Sequence, residues 1–177
     1  MHFMCHPFLE VEGGRKGKVR IAVIGIGQSL RGDDAAGLEA VRQWQEKYPE
    51  TAKRPEVRVE ASELPGLALI DLLDDMDAAV IVDAVQSSAK PGTIHRISPD
   101  ELSAFTPDAQ SAHGWGVAET LQLGRELYPT LKNLPIRLIG IETEQVSIGA
   151  GLSPSVIQAL PELCRTIEDE VQTFLEK

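Results

Sequence analysis

The sequence predicts an α/β domain: three layers, with a twisted, mostly parallel sheet of about five strands between helices on both faces. Two runs, "VRIAVIGIG" (19–27) and "AAVIVDAV" (78–85), are apolar almost throughout, as strands buried on both faces must be. Between such runs the apolar residues switch to helical spacing, so strands and helices alternate along the chain. That alternation implies right-handed crossovers and a site at the carboxyl ends of the strands.

The first strand ends in Gly25 and Gly27. From Asp34 the period is helical, with Leu38, Val41, Trp44 and Tyr48 on one side and Pro49 closing the segment. "VRVEA" (57–61) is a short strand, and "LPGLALIDLLDDM" (64–76) is a helix begun near Ser62 or Pro65. After the strand at 78–85, "PGTIHRI" (91–97) gives a turn and a short edge strand. Ser111 is the expected N-cap of a helix carrying Val117, Leu121, Gly124 and Tyr128 on one side. "IRLIGIE" (136–142) is the last strand, and Val156, Leu160, Leu163, Cys164, Ile167, Val171 and Leu175 form one stripe of a terminal helix. Residues 1–18 are expected to be a loose leader and 19–177 a single domain.

A chain of 177 residues buries a sizeable core without covalent staples. Its net charge of -10 argues against nucleic acid and anionic membranes as partners, because both need clustered Lys and Arg. A peptide or small-molecule partner is the expectation. The two cysteines, Cys5 and Cys164, have neither the number nor the spacing of a disulfide framework or a structural zinc site. Together with the lack of a cleavable leader pattern or a membrane-length apolar run, this gives a cytoplasmic expectation. Oligomeric state is not legible.

Where the first strand ends, "GIGQSLRGDDAAG" (25–37) has the look of a phosphate-binding loop. A dinucleotide fingerprint needs a third glycine where Leu30 stands, and a P-loop needs a Lys followed by Ser or Thr. Asp33 and Asp34 at the start of the following helix would moreover repel a phosphate. No nucleotide is therefore expected, and the loop suits a cation or a hydrogen-bond donor. One aspartate of the pair is easily explained as a helix cap or first-turn acid, and Asp33 is expected to tie the turn. A second carboxylate beside it suggests a site.

A parallel sheet gathers further acids at the same edge: Glu60 and Glu63 after the second strand, Asp83 after the third, and Glu142 with Glu144 after the last. His113, before the third helix, joins them. Near a helix N-terminus its imidazole should be neutral and able to offer a lone pair to a metal. Each has a plainer reading: Glu60 as a solvent-facing partner of Arg58, Glu63 as a first-turn acid for the helix dipole, and Asp83 as an acceptor for neighbouring amides. His95, in the edge strand, adds little, and Trp44 reads as core whereas Trp115 sits beside His113. With no G-x-S-x-G elbow and no cysteine at the sheet mouth, carboxylates and a metal are left as the chemistry.

Five ordered blocks, "IAVIGIGQSLRGDDAAGLEAV", "VIVDAVQSSAKPGTIHRI", "SAHGWGVAETLQLGREL", "LPIRLIGIE" and "GAGLSPSVIQALPEL", together resemble the hydrogenase maturation endopeptidases, over about residues 19–175. The resemblance implies a phosphorylase/hydrolase-like sheet between helices, and an aspartic-type or metal-dependent endopeptidase. The implied reaction removes the C-terminal extension of a nickel-iron hydrogenase large-subunit precursor after nickel insertion, the nickel being presented by the substrate. It carries the family's metal-contacting acid over to Asp34 and its histidine to His113; apart from the resemblance, Asp33 and Asp83 are candidate auxiliary acids by their place at the same edge. The family's second acid aligns with Ala61, so Glu63 takes that role here, with Glu60 as the alternative. A non-cleaving chaperone that binds the metal-loaded precursor C-terminus is the rival function.

Overall fold

The structure, a computed structural model, describes residues 18–63, 66–98 and 116–177. The apolar runs become β1 (Ile21–Ile26) and β3 (Ala78–Val85), with β2 (Val57–Ser62), β4 (Ile94–Ile97) and β5 (Ile136–Glu142) completing a sheet of order β2-β1-β3-β5-β4. β2, β1, β3 and β5 are parallel, and β4 runs antiparallel on the far edge. Successive side chains point to opposite faces. Val23, Val80 and Ile139 therefore meet α1 (Ala36–Lys47) and α6 (Pro154–Leu175) through Trp44, Leu163 and Ile167. Ile24, Ile81 and Leu138 meet α3 (Ala68–Leu73) and α4 (Val117–Leu127) through Leu69, Leu73 and Leu121. The three-layer α/β class is as the sequence predicts.

The differences are local. The helix expected from Asp34 starts as a 3-10 turn, Gly32–Ala35, and becomes α-helical at Ala36. Pro49 opens a further helical turn, α2 (Pro49–Ala52), because a proline lacks only an N–H that the first helical position leaves unused. α3 begins later than expected, at Ala68. Gly116 holds the N-cap place of α4, and Ser111 lies outside the described residues. Tyr128 is 48% exposed because the backbone leaves the helix there, before the turn α5 (Pro129–Lys132). The buried stripe of α6 ends on Phe174 rather than Leu175. Of the expected leader only Lys18 is described; its ammonium lies 3.0 Å from Glu56.

α1 begins directly on the carboxyl ends of β1 and β3. A Cβ at Gly37 would stand 2.2 Å from the Ile26 carbonyl oxygen and 2.5 Å from that of Val82; one at Gly25 would stand 2.5 Å from the Gly37 carbonyl oxygen. Close helix-to-strand contact, the task of the third glycine in a nucleotide loop, is thus performed here by Gly37. Since the obstructing atoms are backbone, Gly37→Ala is expected to destabilise the protein by about 3 kcal/mol. Urea unfolding measures this, and a loss below about 1 kcal/mol would contradict the contact.

Candidate functional site

Asp33 and Asp34 are both fully buried in the 3-10 turn that follows β1. The Asp33 carboxylate accepts from the amides of Glu144 at 2.8 Å and Gln145 at 3.0 Å through Oδ2, and from that of Ser153 at 2.6 Å through Oδ1. Its own amide donates to the Gln145 carbonyl at 2.9 Å. It ties the turn, as expected, but to a distant segment and not as a helix cap. Around it the amide of Gly32 donates to Ala150 and that of Gly149 to Leu30. Gly32 has φ +55, and a Cβ there would lie 2.8 Å from the Gln145 carbonyl oxygen. The loops after β1 and β5 are therefore stapled together, and three amide dipoles balance the buried charge.

Asp34 sits beside this staple. Its amide donates to the Arg31 carbonyl at 3.1 Å, and its own carbonyl packs so closely on Gly27 that a Cβ there would approach to 2.0 Å. Asp83, 2% exposed, projects from β3 toward the α3 and α4 layer, and its Oδ1 accepts from the Ala84 amide at 2.8 Å. Glu142 closes β5 on the same face. Glu60, level with Ile24, also faces that side and is ion-paired with Arg58 at 2.9 Å; Ala61, level with Gly25, faces the α1 side. Glu63 is exposed just past β2.

The structure thus brings Asp33, Asp34, Asp83 and Glu142 to one sheet edge, with Glu60 and Glu63 at its β2 end. His113 lies outside the described residues, four positions before α4 begins. Among the described residues no group of three His, Cys, Asp or Glu side chains is placed to hold a metal ion.

Sequence reasoning passed over His95. Its Nε2 lies 3.0 Å from Glu142 Oε2; the Ser87 hydroxyl donates to the same oxygen at 2.9 Å, and the Ser87 amide to Oε1. His95 and Asp83 both stand level with Gly140, one on either side of it across the sheet. Strand alternation held the clue, because Ile97, two residues on, is a core residue of that face.

A family model of hydrogenase maturation proteases matches residues 46–170. The chain belongs to the hydrogenase maturation protease family. It is 30% identical over 138 residues to the hydrogenase expression/formation protein HupD of Thiocapsa roseopersicina, covering 77% of this chain but 60% of that longer protein. To the hydrogenase 2 maturation protease of Escherichia coli it is 28% identical, covering 78% of this chain and 82% of that protein. Among solved structures, the NiFe hydrogenase maturation protease HybD of Thermococcus kodakarensis is similar with a TM-score of 0.68 and 27% identity, covering 86% of this chain and 99% of that one. The HybD endopeptidase of Escherichia coli, 22% identical with a TM-score of 0.73, shares the fold over 88% of this chain and 93% of its own.

In this maturation-protease fold the Asp33 staple is the testable structural element of the site. Asp33→Ala leaves three amide donors without their acceptor. The expected loss is about 3 kcal/mol, or roughly 6–12 °C in Tm, read by calorimetry. A change within about 1 °C would show that the staple does not hold the two loops.

Proposed function

We propose that this chain is a cytoplasmic endopeptidase that removes the C-terminal extension of a nickel-iron hydrogenase large-subunit precursor after nickel insertion. The observation that carries the proposal is the division of work within the acidic pair. Asp33 holds the loop after β5, and this fixes Asp34 at the carboxyl ends of β1 and β3, where Asp83 also stands. Family membership supplies the class of substrate.

Nickel is here part of the substrate. Asp34, His113 and Glu63 contact it and so fix the neighbouring peptide relative to the sheet edge. Glu63 is favoured over Glu60 because the Glu60 carboxylate is engaged by Arg58 and faces away from position 61. Hydrolysis adds water across the scissile amide: a base takes the proton as the oxygen attacks, and the departing amine gains one. Asp83, buried at the same edge, is the auxiliary acid for that transfer, while Asp33 acts through the loop it holds. No nucleotide takes part.

The test is incubation of the purified protein with nickel-loaded and nickel-free precursor, read by mass spectrometry. Loss of the extension from the nickel-loaded form alone is expected. An uncleaved nickel-loaded cognate precursor overturns the proposal, and stable binding without cleavage identifies the chaperone instead. Asp34→Asn and His113→Ala should each slow processing by roughly 100-fold or more while leaving the thermal melt in place. Glu63→Gln should slow it strongly and Glu60→Gln hardly at all; the reverse order would exchange their roles.

A further inference from the structure

The β2 edge of the sheet carries a second feature. β2 pairs with β1 alone, and no described strand covers its other side. In a parallel ladder each residue turns its N–H and C=O toward the same neighbour. The carbonyls of Glu56 and Ser62 accept from Ile21 and Gly27 at 2.8 Å and 3.3 Å, so residues of that parity face β1. Val59 and Ala61 therefore turn their backbone groups outward.

Beside them runs a groove of about 490 Å³ walled by Val59, Ala61, Leu38, Val41 and Leu152. Its other end is lined by Gly32 and Ala150, members of the stapled loops next to Asp34. On those loops Leu30 is 72% and Ile148 84% exposed, joined by the bond from the Gly149 amide to the Leu30 carbonyl. The charges along the rim are already matched: Arg42 with Glu39 at 2.6 Å, and Arg58 with Glu60 at 2.9 Å. An uncharged, apolar, extended segment is what such a groove fits.

We propose that the groove binds the precursor's C-terminal tail as an extended strand added to β2. Its backbone pairs with Val59 and Ala61, and its side chains enter against Leu38, Val41 and Leu152. Strand addition of this kind draws affinity from main-chain bonds and selectivity from the pockets beside them. The proposal rests on the peptidase reading above, which needs a polypeptide laid toward Asp34.

The experiment is hydrogen exchange on the full chain with its nickel-loaded precursor, alongside steady-state processing by two variants. Protection of the Val59 and Ala61 amides is expected to rise about tenfold or more on binding. Ala61→Pro removes an outward N–H without touching the β1 ladder, and Leu38→Glu charges the opposite wall. Each should raise KM about tenfold with kcat within about twofold and the melt unchanged. Cleavage without protection at Val59 and Ala61, protection confined to the loops of Leu30 and Ile148, or wild-type KM in both variants overturns the docking proposal and leaves the peptidase reading standing. Protection without cleavage supports docking and removes the peptidase. Absence of both binding and cleavage removes both.

Discussion

The clasp of the Asp33 carboxylate on three backbone amides is the contact on which the carboxyl edge of the sheet depends. A buried charge of this kind is tolerable only when donors surround it, and once surrounded it is costly to disturb. The loops after β1 and β5 are thereby held to one another. The glycines beneath it extend the same constraint: Gly25 and Gly37 bring the helix onto the strand backbone, and Gly32 gives its place to the Gln145 carbonyl.

Two adjacent aspartates can have unlike duties because neighbouring residues in a tight turn point in different directions. Asp33 reaches across to another part of the chain, whereas Asp34 stays with the edge formed by β1 and β3. The same economy governs the two edges of the sheet. On the β4 side Glu142 ties His95 and Ser87, and Arg96 reaches Asp169 and Glu170 on α6. On the β2 side the charged residues pair with one another, leaving the outward backbone of Val59 and Ala61 uncovered by any described strand.

Much of the fold was legible because its signals are local. The apolar runs of β1 and β3 can only be strands buried on both faces, and the stripe of α6 declares a helix. The duty of Asp33 was half legible: a turn acid was readable, but its partners lie 111 to 120 residues further on, and no short pattern encodes such a meeting. His95 was missed for the same reason, since its bond to Glu142 depends on the register of an antiparallel edge. Pro49 does mark the end of α1, and what the sequence did not show is that the same proline opens the next helical turn. The preference for Glu63 over Glu60 rests on strand alternation alone; the register of β2 on β1 sets Glu60 and Ala61 on opposite faces and ends at Ser62.

The span of that clasp also sets a timetable. Asp33 is made before its donors, and the last of them, the amide of Ser153, follows 120 residues later. Until the loop after β5 is made, β1, β2 and β3 can pair, but the turn bearing Asp34 lacks the donors that clasp its neighbour. Competence at this edge is therefore conferred only once Ser153 has been made, and a product terminated before it would carry Asp33 and Asp34 without the full clasp that aims them.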